Sequence, residues 1–223
     1  MVDKVVLSTV GFSAELVMRS ALRVGIGSRD RVVLIYSMSG DEHSRKRVGE
    51  AVETVKKLLH GVGVIVEDCV VTGTDFFEDV TAVLKVLKSY RDKEIIVSLT
   101  GGMRITIFAV FYAAELLARL LKVRVTIHLM REDGLYDVFL SAPLVPMLGR
   151  GELTILRYLK EFGFSGRPRP RIVEELAKNM RVSETAVRKV FNGLETKGLV
   201  QVSDGMVVIT KLGEVVYEIL KGV

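Results

Sequence analysis

The feature that most restricts this chain is an alternation through its first two-thirds. Short, almost unbroken runs of Val, Ile and Leu take turns with longer amphipathic stretches. The runs are KVVLST (4–9), RVVLIYS (31–37), VIVEDCVVT (64–72), EIIVSL (94–99) and VRVTIHLM (123–130). Between them lie residues 13–25, 41–61, 76–90 and 104–121, where apolar residues recur at helical spacing. A strand that is apolar on both faces needs a cover on both. Such strands separated by helices predict an α/β fold, a Rossmann-like and mostly parallel sheet with helices on both faces. A sixth run, LYDVFLS (135–141), follows the turn REDG and is expected to form a hairpin, giving the sheet an antiparallel edge.

The alternation ends at APLVPMLGRGE (142–152), with its two prolines and two glycines. Residues before proline favour extended backbone, so a junction is expected near 145–151, dividing the chain into domains 1–145 and 146–223. Beyond it lie an amphipathic helix (152–163), a turn with Arg167, Arg169 and Arg171 (163–171), and a second helix (172–180). A third helix follows, with Ser183 as N-cap and Gly198 at its end. Asp204–Gly205 then joins two short alternating runs, as in a hairpin, and a last helix spans 212–222. Helix, helix, short turn, helix and hairpin is the order of a small winged helix-turn-helix domain.

In that reading Val182 packs in the turn, and Ala186, Val187, Val190, Phe191 and Leu194 bury one face of the third helix. The opposite face presents Ser183, Thr185, Arg188, Lys189 and Asn192, side chains suited to phosphates and base edges of double-stranded DNA. Net charge agrees in direction. The chain carries +5, with 19 Lys and Arg against 18 Asp and Glu in residues 1–147, but 13 against 9 in residues 148–223. LETKGLV and ITKLGEVVYEIL resemble the end of the recognition helix, the wing and the following helix of MarR/ArsR-like winged-helix regulators. The same module could instead dock protein, as an assembly adaptor with a solvated Arg188–Lys189 face.

Other classes are narrowed by what the sequence holds. One cysteine, Cys69, allows no intramolecular disulfide and no cysteine-rich zinc site; within VIVEDCVV it reads as a small buried hydrophobe. The most apolar stretch, Ile105–Leu121, contains Glu115 and Arg119 and is short for a membrane span. No secretory leader is read at the start, so a cytoplasmic protein with no membrane partner is expected. Neither GxGxxG nor GxxxxGK[ST] occurs, which argues against a nicotinamide dehydrogenase or an NTPase. No metal-ligand cluster, paired carboxylates or nucleophile elbow is read, so no catalytic residue, metal or cofactor is assigned. Of the three histidines, His60 and His128 are placed away from the candidate ligand rim and His43 beside it.

Ligands of open parallel sheets collect beyond the carboxyl ends of the strands. Four segments lie there: Ser8-Thr9-Val10-Gly11-Phe12-Ser13, Ser37-Met38-Ser39-Gly40-Asp41, Thr72-Gly73-Thr74-Asp75 and Thr100-Gly101-Gly102-Met103-Arg104. Each combines Gly with Ser or Thr at the start of a helix, which suits an anion. Position alone nominates Ser8, Ser39 and Thr74. Phe12 and Met103 either flank a base or anchor their loops in the core.

LSTVGF after the first strand and SLTGGMRITIFA at the fourth resemble the two signature segments of the CRISPR-associated Rossmann-fold (CARF) domain. A CARF domain followed by a winged helix is similar to the archaeal Csa-type CRISPR transcriptional regulators. The resemblance covers almost the whole chain. It implies a homodimer whose paired sensor domains bind a cyclic oligoadenylate, most often cyclic tetra-adenylate, as effector, and winged helices that act at CRISPR-related promoters. From the matching motifs Gly11, Thr100, Gly101, Gly102 and Arg104 carry over as ligand residues, and Thr9 in the first segment is a further ligand-binding candidate. Some members of the wider group cleave their cyclic ligand, so a ring nuclease is the enzymatic alternative.

Overall fold

A computed structural model describes residues 4–131, 133–144, 146–163 and 165–220. The chain divides into two compact units, residues 1–145 and 146–223. The first runs β1 (Lys4–Thr9), α1 (Ala14–Val24), β2 (Arg31–Ser37), α2 (Glu42–Gly61), β3 (Ile65–Val71), α3 (Phe76–Ser89), β4 (Glu94–Leu99), α4 (Arg104–Leu121), β5 (Val125–Met130) and β6 (Asp137–Ala142). Its sheet has the order β3-β2-β1-β4-β5-β6. All pairings are parallel except β5 with β6.

Strands β1, β2 and β4 bury both faces because their side chains alternate between two cores, whereas the edge strands β3 and β6 are partly exposed. Val5, Leu7, Val33, Ile35, Ile95 and Val97 pack with α3 and α4. Val6, Val10, Val32, Leu34 and Ile96 pack with α1 and α2. This is the α/β Rossmann-like sheet that the alternation predicts. In chain order the sheet grows outward from β1 to β3 on one side and from β4 to β6 on the other. The loops after β1 and β4 therefore leave the sheet in opposite directions, and the switch point between them opens a crevice.

The edge hairpin closes through Gly134 (φ +68°), whose amide donates to Arg131 O at 2.8 Å; Glu132 of the expected turn lies outside the described residues. Strand β5 starts two residues later than expected, because Lys122 adopts a left-handed conformation that ends α4. A buried polar network anchors the edge. His128 Nε2 lies 3.0 Å from Asp137 Oδ2, and His128 Nδ1 lies 3.0 Å from Ser98 Oγ and 3.1 Å from Ser20 Oγ. The network joins β6, β5, β4 and α1.

The second unit runs α5 (Arg150–Glu161), β7 (Arg167–Pro168), α6 (Arg169–Met180), α7 (Glu184–Thr196), β8 (Val200–Ser203), β9 (Met206–Ile209) and α8 (Lys211–Leu220). Residues 221 and 222 of the expected last helix lie outside the described residues, as does Val145 at the expected junction. Ile155, Leu159, Ile172, Leu176, Phe191 and Leu194 share one core. Asp204 (φ +52°) and Gly205 (φ +75°) turn the β8–β9 hairpin. Helix α6 begins at Arg169 rather than 172, since Pro170 fits a first helical turn. Arg169 and Arg171 are thus helical, not part of a turn. Ala186 and Val182 are exposed, against expectation. Val187, Phe191 and Leu194 set the inward direction of α7, which leaves position 186 on the flank.

Candidate functional site

At the switch point the loops after β1 and β4 touch through backbone. A Cβ on Gly11 would lie 2.6 Å from the Gly102 nitrogen, and Gly102 itself holds φ +114°. Only glycine fits the first contact, and it is the natural residue for the second conformation. Three hydroxyl residues clamp the pair from beneath. Thr9 Oγ1 accepts from the amides of Thr100 (3.1 Å) and Gly101 (3.3 Å), and Thr100 Oγ1 donates to Thr9 O at 2.6 Å. Ser8 Oγ sits 3.4 Å from Thr100 Oγ1. The expectation that Ser8, Thr9 and Thr100 offer their hydroxyls on the open rim is corrected: all three are buried and spend those groups inside the clamp.

Above the clamp, Gly102, Met103 and Arg104 are exposed and Gly101 is half-buried. The start of α4 differs from its neighbours. Helices α1, α2 and α3 are capped by the side chains of Ser13, Asp41 and Asp75, and each has an acidic residue in its first turn. Helix α4 has Met103 at its N-cap, no side-chain cap and no acidic residue there. Among the described residues no carboxylate pairs with Arg104. The positive end of the helix and a cation therefore face one shallow cleft of ≈ 460 Å³, lined by Gly11, Phe12, Gly101, Gly102, Arg104 and Met130 among others. An anion placed there meets amides and a guanidinium.

The other two rim loops are braced rather than open. Ser37 Oγ lies 2.7 Å from Ser39 Oγ and donates to Thr72 O at 2.9 Å. Buried Asp79 accepts from the amides of Thr72 (2.8 Å) and Gly73 (3.0 Å). Ser39 Oγ reaches the cleft side by donating to Met103 Sδ at 3.1 Å. Thr74 is exposed on the β3 loop, its amide bonded to Thr72 Oγ1 at 3.2 Å. Phe12 and Met103 are 51% and 43% exposed, so neither is a core anchor. Arg47 of α2 stands 4.4 Å from the Phe12 ring centroid. It is absent from the residues expected at this rim. Its signal is the basic run Arg45-Lys46-Arg47 near the start of a helix that begins there.

His43 is exposed on the first turn of α2 and His60 lies at that helix's far end. His128 belongs to a set of Ser, His and Asp, but it is fully buried and both ring nitrogens are engaged within that set. Among the described residues no group of three His, Cys, Asp or Glu is placed to hold a metal ion. No helix there is long and apolar enough to cross a membrane. Burial pushes the Cys69 thiol up to about 11, aided by the charge of Asp79. At the start of α2 the Ser44 amide holds the Asp41 carboxyl below its ordinary value.

In the second unit Ser183 caps α7 by accepting from the Ala186 amide at 3.2 Å. Thr185, Arg188, Lys189 and Asn192 are exposed along the same helix. Arg188 pairs with Glu184 at 3.1 Å. Asn192 differs from expectation, for its Oδ1 accepts from Arg169, which also pairs with Glu195 at 3.5 Å. Arg169 therefore stands beside α7, brought there by the early start of α6.

A family profile described as the Csa3 CRISPR-associated Rossmann-like domain matches residues 4–139. No curated protein matches the sequence. Solved structures similar in shape include two CRISPR-associated proteins with bound cyclic nucleotides. One is Can2 from Sulfobacillus thermosulfidooxidans in complex with cyclic tetra-adenylate, at 14% identity and TM-score 0.47, covering 98% of this chain and 67% of that one. The other is Enterococcus italicus Csm6 bound to cyclic hexa-2′-fluoro-hexa-dAMP, at 14% identity and TM-score 0.48, covering 99% of this chain and 56% of that one.

Proposed function

The chain belongs to the family of the Csa3 CRISPR-associated Rossmann-like domain, and from that premise we propose that it is a ligand-responsive, DNA-binding transcriptional regulator of CRISPR loci. Residues 1–145 are its sensor and residues 146–223 its winged helix-turn-helix. The effector is a cyclic oligoadenylate, with cyclic tetra-adenylate the first to test. The observation that carries the sensor reading is the start of α4. It is uncapped, lacks acidic residues, bears Arg104 and opens on a cleft whose walls are Gly11, Gly101 and Gly102. Bare backbone there meets a phosphate at close range.

A ring of identical nucleotides in even number has two-fold symmetry, and a homodimer offers it the same cleft twice. Helix α4 suits that assembly. Phe108 and Tyr112 are 64% and 43% exposed and follow Arg104 at four-residue steps, so an apolar face descends from the lip of the cleft. A second copy packed on that face brings two Arg104 side chains toward one ring.

The DNA reading rests on the element order of the second unit and on α7, where Ser183, Thr185, Arg188 and Lys189 share the exposed side with Arg169 nearby. Asn192 reaches a base edge only after parting from Arg169.

A thermal shift titration tests the sensor. A ligand that binds only the folded chain raises the melting temperature with concentration. Cyclic tetra-adenylate is expected to do so, linear tetra-adenylate to do so much less, and Arg104→Ala to remove most of the rise. An unchanged melting temperature with the cyclic ring at saturating concentration sinks the proposal.

A further inference from the structure

The cleft accounts for phosphates but leaves one of its walls without a task. Phe12 lines it with half its surface exposed. Its position is fixed, because the preceding Gly11 is locked against Gly102. Arg47, exposed on α2, covers the ring at 4.4 Å from the centroid. Among the described residues no carboxylate pairs with Arg47, so its charge is spent on the ring and whatever lies beside it. An arginine over an aromatic face is attracted by the ring quadrupole. It also stiffens the ring by holding one side.

We infer that Phe12 and Arg47 form a stacking platform for a purine base, with Arg47 on one face of the Phe12 ring and the base of the bound nucleotide on the other. The inference rests on the reading of the cleft as a nucleotide site. Base stacking on aromatic side chains is a general mode of nucleotide capture, strongest for extended ring systems. Here it supplies what the glycine loops and Arg104 lack, a contact that depends on the base. Ring selection then divides between two groups: the α4 start holds phosphate whatever the base, and the platform favours purine over pyrimidine.

Calorimetry on the full chain with two probes tests it. Cyclic tetra-adenylate and cyclic tetra-uridylate share backbone and symmetry and differ in base. Phe12→Leu, which keeps apolar bulk and loses the π face, is expected to bind the adenylate ring about tenfold more weakly. The uridylate ring should change little. Phe12→Trp is expected to retain adenylate affinity, and Arg47→Ala to lose about threefold. Circular dichroism and melting confirm that each variant is folded. Phe12→Leu binding adenylate as tightly as the wild type, while Arg104→Ala loses it, overturns the platform and leaves the cleft standing. Equal losses for both rings also overturn it. If the wild type takes neither ring, the cleft reading fails and the platform with it.

Discussion

At Gly11 the choice of residue is decided by a distance. An added Cβ would sit 2.6 Å from backbone nitrogen, and no side chain is there to swing away. Gly11→Ala is expected to cost about 1–3 kcal/mol in stability, as overpacking does, and to spoil ligand binding by parting the two loops. At Gly101 the nearest atom is 3.7 Å away, so Gly101→Ala is expected to melt close to the wild type. Thermal melts of the two variants check the contrast. Thr106 gives the opposite sign. Its hydroxyl is buried with no hydrogen-bond partner among the described residues. Thr106→Val removes an unsatisfied polar group at near-constant volume and is expected to stabilise by about 1 kcal/mol. Cys69 gives a pH dependence. Its thiol is raised from an ordinary 9.0 to about 11 in the fold. Stability is therefore intact below about 9 and falls as pH rises toward 11, because the unfolded chain ionises first. Denaturant melts across that window, with a smaller fall in Cys69→Ala, check it. The glycines were legible from sequence because turns demand them. The burial of Ser8, Thr9 and Thr100 was not, because a hydroxyl beside a glycine loop suits a clamp and a ligand equally well until the partner strand is placed.

At the scale of elements, the alternation of apolar runs and helices located every strand of the first unit to within a few residues. Strands buried on both faces stand out as unbroken apolar runs between amphipathic helices. It located ends less well where a single backbone conformation decides them, as at Lys122, or where proline opens a helix, as at Pro170. It also missed that α4 alone among α1 to α4 starts without a side-chain cap, since a missing cap leaves no residue to notice. The edge strand β6 is half exposed and is held by its ladder to β5, with the His128 network as an added tie. His128→Leu leaves the Asp137 carboxylate without its partner and is expected to cost about 1–3 kcal/mol. Hydrogen exchange should quicken in residues 137–142 before it does in β1 or β4. Uniform exchange across the sheet would count against that role for the network.

At the scale of the whole chain, an α/β unit and a helical unit carrying a hairpin follow from composition and pattern together. What pattern does not supply is pairing in space, and Arg47 over Phe12 and Arg169 beside Asn192 are both of that kind. For the second unit, Arg188→Ala with Lys189→Ala is expected to abolish a salt-sensitive DNA mobility shift, leaving ligand-induced stabilisation unchanged. A regulator of this design also has reciprocal coupling: whatever factor the ring imposes on DNA affinity, DNA must impose on ring affinity. In the proposed regulator two copies share one nucleotide ring through the start of α4. Calorimetric stoichiometry of the full chain with cyclic tetra-adenylate tests it most directly. One ring per two chains, with affinity collapsing in Arg104→Ala, is the predicted result. One ring per chain, or an affinity indifferent to Arg104, would contradict it.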